Sequence, residues 1–214
     1  MAQMDTPAEG ILERTDAYPL RRLARDVIET LILALVIYLA VRAVILPYEV
    51  EGASMNPALR SGERLFVNRS AYAHFDVNDL WNVLPWEARE GERAIYPFDP
   101  PRRGDVVVLD PPVVSKKPYI KRIIGLAGEE ISFRDGYVLV DGRRVEEPYL
   151  SGVTTTCRSG QHCEVTVPLG SVFVLGDNRA NSADSRTFGP VSLDRIIGKA
   201  FFSNWPLDTL GPIE

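Results

Sequence analysis

A serine, a lysine and a run of short polar residues are the parts of this 214-residue sequence whose types and spacing can do chemistry. Ser54 sits in a turn of small residues, Gly52-Ala53-Ser54-Met55-Asn56-Pro57-Ala58-Leu59. Lys121 lies in Tyr119-Ile120-Lys121-Arg122-Ile123-Ile124-Gly125, where strand alternation puts Lys121 and Ile123 on one face and Ile120 and Arg122 on the other. The third segment, GDNRANSADSRTFG from Gly176 to Gly189, is dense in short polar groups. A serine hydroxyl becomes a useful nucleophile when a base takes its proton. A lysine can be that base only if desolvation lowers its pKa toward neutrality. Each segment also has a plainer reading: a tight turn, a snorkelling surface lysine, a well hydrogen-bonded loop.

Other chemistries find less support. The two histidines are His74, in an irregular stretch, and His162, between two cysteines, and neither has an obvious serine partner for a Ser-His-Asp triad. No His/Cys/Asp/Glu group has the spacing of a metalloprotease site, so no metal is expected. Gly125-Leu126-Ala127-Gly128 lacks the Lys-Ser/Thr that completes a phosphate-binding loop, and no cofactor is expected. Net charge is -5, and no segment interleaves Lys/Arg with aromatics, which argues against nucleic acid as a partner.

The elements that must position these residues begin with VIETLILALVIYLAVRAVIL, residues 27–46. About 20 apolar residues make roughly 30 Å of helix, one hydrocarbon thickness. Pro47 offers a stop, and Glu29 and Arg42 lie near the ends, where long side chains reach headgroups. Arg21, Arg22 and Arg25 precede the run, so the positive-inside rule keeps residues 1–26 cytoplasmic and exports residues 47–214. A cleavable signal sequence would end in an A-x-A-like site, which ILPYEVEGASM does not contain. A buried core helix is the remaining alternative.

Beyond the anchor the patterns are short and β-branched. Tyr48–Glu51, 62–68, Gly104–Asp110, Pro118–Leu126, Glu164–Val167, Val172–Leu175 and Ile196–Ser203 read as strands bounded by turns. Ile131–Arg134, Asp135-Gly136, Tyr137–Val140 and Asp141-Gly142 spell two successive hairpins, because Asp-Gly accepts the positive φ angles of a type I′ turn. Residues 70–101 have several prolines, Trp81 and Trp86, and no sustained period; they read as an irregular insertion. The expected fold is mainly β, an antiparallel sheet with a smaller inserted β subdomain near 129–170, preceded by one transmembrane helix. Cys157 and Cys163 bracket a turn-rich loop that a disulfide closes easily, worth about 2 kcal/mol in an oxidising compartment. The alternative, a redox or metal pair, lacks CxxC spacing, and His162 alone does not complete a zinc site.

Taken together the segments resemble type I signal peptidase. That family carries a Ser-Met-x-Pro box after its anchor (here Ser54–Pro57) and a Gly-Asp strand box (here Gly104–Leu109). A Tyr-x-Lys-Arg-x-x-Gly box follows (here Tyr119–Gly125), then a long Gly-Asp-Asn-Arg box (here Gly176–Gly189). All four occur in order between Val27 and Val191. The resemblance implies a serine endopeptidase that removes signal peptides ending in small residues at positions -1 and -3. Ser54 would be its nucleophile and Lys121 its general base. It further implies that Ser182 hydrogen-bonds the lysine, that Asp184 and Arg186 form a bracing ion pair, and that Asp177 and Arg179 hold the same loop. Tyr48, Val50, Met55, Leu59, Tyr119 and Ile120 would line shallow pockets, and extended backbone at Asp105–Val108 or Tyr119 would pair with the substrate. The Cys-x5-Cys loop resembles that of Gram-negative members, which places the protein in a bacterial inner membrane with its catalytic domain in the periplasm. Gly52 departs from a family branch that carries a serine oxyanion donor there, so the oxyanion would rest on backbone N–H groups such as that of Ser54. Two rival functions stand beside this one: a related self-cleaving or accessory Ser/Lys protease, and an inactive membrane-anchored binding module.

Overall fold

The computed structural model describes residues 20–73, 75–76, 94–95, 99–115, 117–150, 152–158 and 160–213. His74, Trp81, Trp86 and most of the 70–101 insertion lie outside these residues. The chain divides into two units, Met1–Val41 and Arg42–Glu214.

Helix α1 (Leu20–Val44) follows from an unbroken apolar run of good helix formers. Its 25 residues extend about 37 Å, enough to cross a hydrocarbon core with some tilt. None of its residues is buried, and Leu31, Ile32, Leu35, Val36 and Leu39 are all more than half exposed. A helix apolar on every side and covered by no protein is the form that a bilayer stabilises. The polar end is local: Arg25 Nε donates to Glu29 Oε1 at 2.6 Å, one turn away. The helix stops at Val44, three residues before the proline expected to stop it. Strand pairing starts at Ile45, opposite Asn68, and takes the chain out of the helix.

The second unit is built on strands β1 (Ile45–Glu49), β2 (Arg64–Asn68), β3 (Phe75–Asp76), β4 (Ala94–Ile95), β5 (Val106–Leu109), β6 (Tyr119–Gly125) and β7 (Glu130–Arg134). Then come β8 (Tyr137–Val140), β9 (Arg143–Arg144), β10 (Glu164–Thr166) and β11 (Ser171–Leu175). The chain closes with the single-turn α2 (Ser185–Phe188), β12 (Val191–Ser192), β13 (Ile196–Trp205) and β14 (Gly211–Pro212). The main sheet runs in the order β1-β2-β13-β5-β6-β11-β12, with β14 against β13, and its pairings are antiparallel. Pro47 is tolerated because β1 is an edge strand. A second sheet, β10-β7-β8-β9, spans Glu130–Thr166. Within the insertion, β3 and β4 form a short antiparallel pair of their own, so regular structure occurs where none was expected.

Both faces of the main sheet are covered, which explains the nearly continuous apolar strands. Val106, Val108 and Ile120 pack with Val50, Met55 and Leu59 on one side. Val107, Leu109 and Ile123 pack with Val172 and Val174 on the other. Ile124, Phe173 and Leu175 join the second sheet through Ile131, Val138 and Val167. The two Asp-Gly turns have the positive φ pairs of type I′ geometry: 53° and 82° at Asp135-Gly136, 49° and 73° at Asp141-Gly142. Cys157 and Cys163 are joined by a disulfide, their Cα atoms 5.6 Å apart.

Candidate active site

Ser54 stands in the turn between β1 and β2, and Lys121 in the middle of β6. The lysine Nζ donates to Ser54 Oγ at 2.8 Å and to the Ile120 carbonyl at 2.8 Å. β6 is buried along almost its whole length, so Lys121 is only 2% exposed, and the Tyr119 ring lies 5.1 Å from its Nζ. Desolvation lowers the lysine from its ordinary 10.5 to about 8, although the charges of Asp184 and Asp177 pull the other way. Desolvation wins because neither carboxylate pairs directly with Nζ: Asp184 binds Arg186 and Asp177 binds Arg122. The pair can therefore exchange a proton near neutral pH, which an exposed lysine does poorly.

The turn around Ser54 is held from the far side by the segment after β11. Asn178 donates twice, its backbone N–H to the Ser54 carbonyl and its Nδ2 to the Ala53 carbonyl, both at 3.0 Å. A β-carbon on Gly176 would stand 2.5 Å from the Ser54 carbonyl oxygen, so glycine is required for this approach. The same segment carries three buried ion pairs, one of them between Arg179 and Glu147. Asp184 caps α2, accepting from the Arg186 amide, and also accepts from the Gly176 amide at 3.1 Å and from the Arg186 guanidinium at 2.8 and 2.9 Å. Asp177 forms a two-bond pair with Arg122 at 3.0 and 2.8 Å, with side chains 0% and 1% exposed.

Comparison with known sequences decides what this constellation belongs to. The family model for "Signal peptidase, peptidase S26" matches residues 24–205. The chain belongs to that family. It is 35% identical to signal peptidase I T of Bacillus subtilis (strain 168) over 193 residues, covering 85% of this chain and 86% of that one. It is 37% identical to signal peptidase I of Bacillus caldolyticus, covering 74% and 79%. A crystal structure of a signal peptidase I from Enterococcus faecalis V583 is 34% identical and covers 46% of this chain and 95% of its own, with a TM-score of 0.41. The protein is thus an enzyme, a peptidase of the signal peptidase I type, and its apolar helix fits a membrane-anchored member.

In this signal peptidase family member, several residues singled out in the sequence lie elsewhere than expected. Ser182 does not hydrogen-bond Lys121: its Oγ is buried and has no partner among the described residues, while the lysine uses Ser54 Oγ and Ile120 O. Asp177 and Arg179 each tie the loop to a different segment. Asp177 takes Arg122, and Arg179 takes Glu147, Thr155 and the Gly176 carbonyl. Val50, Met55, Leu59 and Ile120 are 4% exposed or less and form packed core under the site; Tyr48 and Tyr119 are half-buried. Tyr48 is tied to the β6 entrance by a bond from its hydroxyl to Pro118 O at 3.1 Å. Strand β5 is an interior strand: Val107–Leu109 lie opposite residues of both β13 and β6, so they cannot accept a further strand. On β6, only Arg122–Gly125 pair with β11, which leaves Tyr119–Lys121 without a strand on that side among the described residues.

Sequence reasoning missed Arg122, Glu147, Tyr149, Thr155 and Asn178. Tyr149 stacks on the Arg122 guanidinium at 3.9 Å and donates to Glu147 at 2.8 Å, linking the Asp177–Arg122 and Arg179–Glu147 pairs. Arg122 carried a usable signal, an arginine in an otherwise apolar strand, which must find an acid if it is buried. Glu147 and Thr155 carried none, lying in an irregular stretch between β9 and β10.

Proposed function

We propose that this enzyme cleaves signal peptides from exported preproteins at the outer face of the cytoplasmic membrane, with Ser54 as nucleophile and Lys121 as general base. The observation that carries this reading is the 2.8 Å bond between Nζ of a nearly inaccessible lysine and Ser54 Oγ. Neutral Lys121 takes the hydroxyl proton as Oγ attacks the scissile carbonyl. The negative charge passes to the carbonyl oxygen, to which the Ser54 amide donates. Collapse expels the new amino terminus, which takes the proton from the lysine ammonium. Water, deprotonated by the same amine, then releases the signal peptide from the serine ester.

Packing supports a substrate with small side chains. Met55, Val50 and Ile120 pack as core with Tyr48 against them, and bulky side chains already filling the space next to the nucleophile turn suit a substrate with small residues at -1 and -3. The strand-free side of Tyr119–Lys121 offers backbone groups to an extended substrate. The basic residues before the apolar helix favour a cytoplasmic N-terminus and an exported catalytic unit, in agreement with the disulfide. A membrane tether confines enzyme and preprotein to one surface, which raises effective concentration.

The test is direct. Purified Ser54→Ala and Lys121→Ala, each incubated in detergent with a preprotein, should leave it uncut under conditions where the wild type processes it fully. Cleavage at the wild-type rate by either variant overturns the dyad.

A further inference from the structure

The nucleophile turn presents a peptide unit whose two ends face different partners. The bond between Ala53 and Ser54 is trans, so its carbonyl and its N–H point in opposite directions within one plane. The carbonyl end is fixed: Ala53 O accepts from Asn178 Nδ2 at 3.0 Å, across 125 residues of sequence. The other end, the Ser54 N–H, donates to no acceptor among the described residues. The next carbonyl, Ser54 O, is held by the Asn178 backbone N–H at 3.0 Å, so one residue grips both peptide units that flank the nucleophile. Asn178 is itself tied down, because Asp177 is locked to Arg122 and Arg179 to Glu147 and Thr155.

We propose that Asn178 is a positioning residue for oxyanion stabilisation: its side-chain amide, by holding the Ala53 carbonyl, aims the Ser54 N–H at the oxygen that becomes negative during attack. This rests on the Ser54 nucleophile reading. Two effects contribute. Orientation is the first, since a preorganised donor stabilises the transition state without rearrangement at the moment of reaction. Polarisation is the second: a hydrogen bond accepted by a carbonyl strengthens donation by the N–H of the same peptide. The demand on this donor is high here. Position 52 is glycine, and its own amide is engaged with Ser61 Oγ at 3.2 Å, so neither its side chain nor that N–H contributes a donor.

Asn178→Ala removes only the side-chain bond and keeps the backbone bond to Ser54 O. Full-length enzyme in detergent, with a preprotein and with an uncleavable peptide of the same sequence, gives the needed readouts. The expected kcat falls about 10- to 100-fold, below the ~10²–10³ that removal of an entire donor costs, because the N–H remains but is less well aimed. KM stays within about twofold, and the midpoint of the pH-rate profile stays where it is in the wild type, because Lys121 is untouched. A peptide aldehyde, which adds to the serine as a tetrahedral adduct, should lose affinity in step with kcat/KM, while the uncleavable peptide binds as before. Asn178→Asp, which sets a carboxylate against the Ala53 carbonyl, should lose at least as much activity. Three results overturn the proposal: an unchanged kcat, a shift of the pH midpoint with the loss, or equal weakening of aldehyde and uncleavable peptide. Inactivity of Ser54→Ala alongside wild-type behaviour of Asn178→Ala would reject this inference and leave the nucleophile assignment intact.

Discussion

The backbone of Gly176 faces the carbonyl oxygen of Ser54 so closely that a β-carbon would stand 2.5 Å from it. The same β-carbon would also meet the Ser182 side chain, its Oγ and, at 2.6 Å, its Cβ, and the Ser54 carbonyl has little freedom to retreat because Asn178 holds the nucleophile turn at two points. Gly176→Ala should therefore displace Ser54 from Lys121. Displacements of this size near the reacting atoms cost about 10²-fold or more in kcat. Overpacking of this kind costs about 1–3 kcal/mol in stability. Preprotein cleavage and thermal unfolding, measured on one preparation, should show activity nearly lost and the fold kept; full activity would mean the turn can move without harm.

The pH dependence of kcat/KM should follow the neutral fraction of Lys121. Its pKa is lowered to about 8, so the amine is mostly protonated at pH 6 and mostly free at pH 9. Activity should climb roughly tenfold per pH unit below the midpoint and level off above it. A rising limb centred near the ordinary lysine value of 10.5 would show that burial does not control the base.

Stability should carry the opposite imprint of the same burial. A lysine whose folded pKa is lowered binds fewer protons folded than unfolded between pH 8 and 10.5, so stability rises with pH across that window. Below pH 8 the full cost is present, on the order of 3 kcal/mol for a shift of that size. Lys121→Met keeps the apolar stem and drops the charge. It should be inactive yet more stable than the wild type in urea at pH 7, with the gap narrowing toward pH 10. A variant less stable at pH 7 would contradict the desolvation account.

The pair between Asp177 and Arg122 predicts a different kind of damage. Both side chains are essentially inaccessible, and the arginine also donates to Gly104 O at 2.9 Å. Asp177→Ala removes the carboxylate and leaves a guanidinium buried without its counter-charge, at a cost on the order of 3 to 5 kcal/mol. The melting temperature should drop by many degrees, with activity falling because Asn178 sits on the same segment. Asp177→Asn, which keeps one acceptor, should lose less. Equal and negligible effects would mean water reaches the pair.

Much of the architecture was legible in local pattern. The two Asp-Gly turns, the apolar run of α1 and the strands β5, β6 and β11 depend on neighbours within a few residues, and the sequence displays those neighbours directly. The short β3–β4 pair and the one-turn helix after Asp184 were not anticipated, since neither has enough residues to show a period. The candidate site divides the same way. Its motifs stand out by composition, but their partners do not: the expected bond from Ser182 to Lys121 is absent, and Arg122, Glu147 and Thr155 reach the loop from segments distant in sequence, because burial sends each charge to whichever counter-charge the fold brings closest.

The sequence by itself determined a membrane-length helix, a β-rich unit after it, a cysteine pair spaced for a small closed loop, and four ordered motifs that mark the family. These are properties of contiguous residues, set by backbone sterics, hydrophobic periodicity and side-chain chemistry. Only the tertiary structure decided that Lys121 meets Ser54 across 67 residues, that Arg122 neutralises Asp177, and that Asn178 reaches back 125 residues to the Ala53 carbonyl. Such contacts arise where the antiparallel strands stack distant segments over one core. A buried polar group there accepts the partner that geometry supplies, because leaving it unpaired in a low dielectric costs more than any local preference offers.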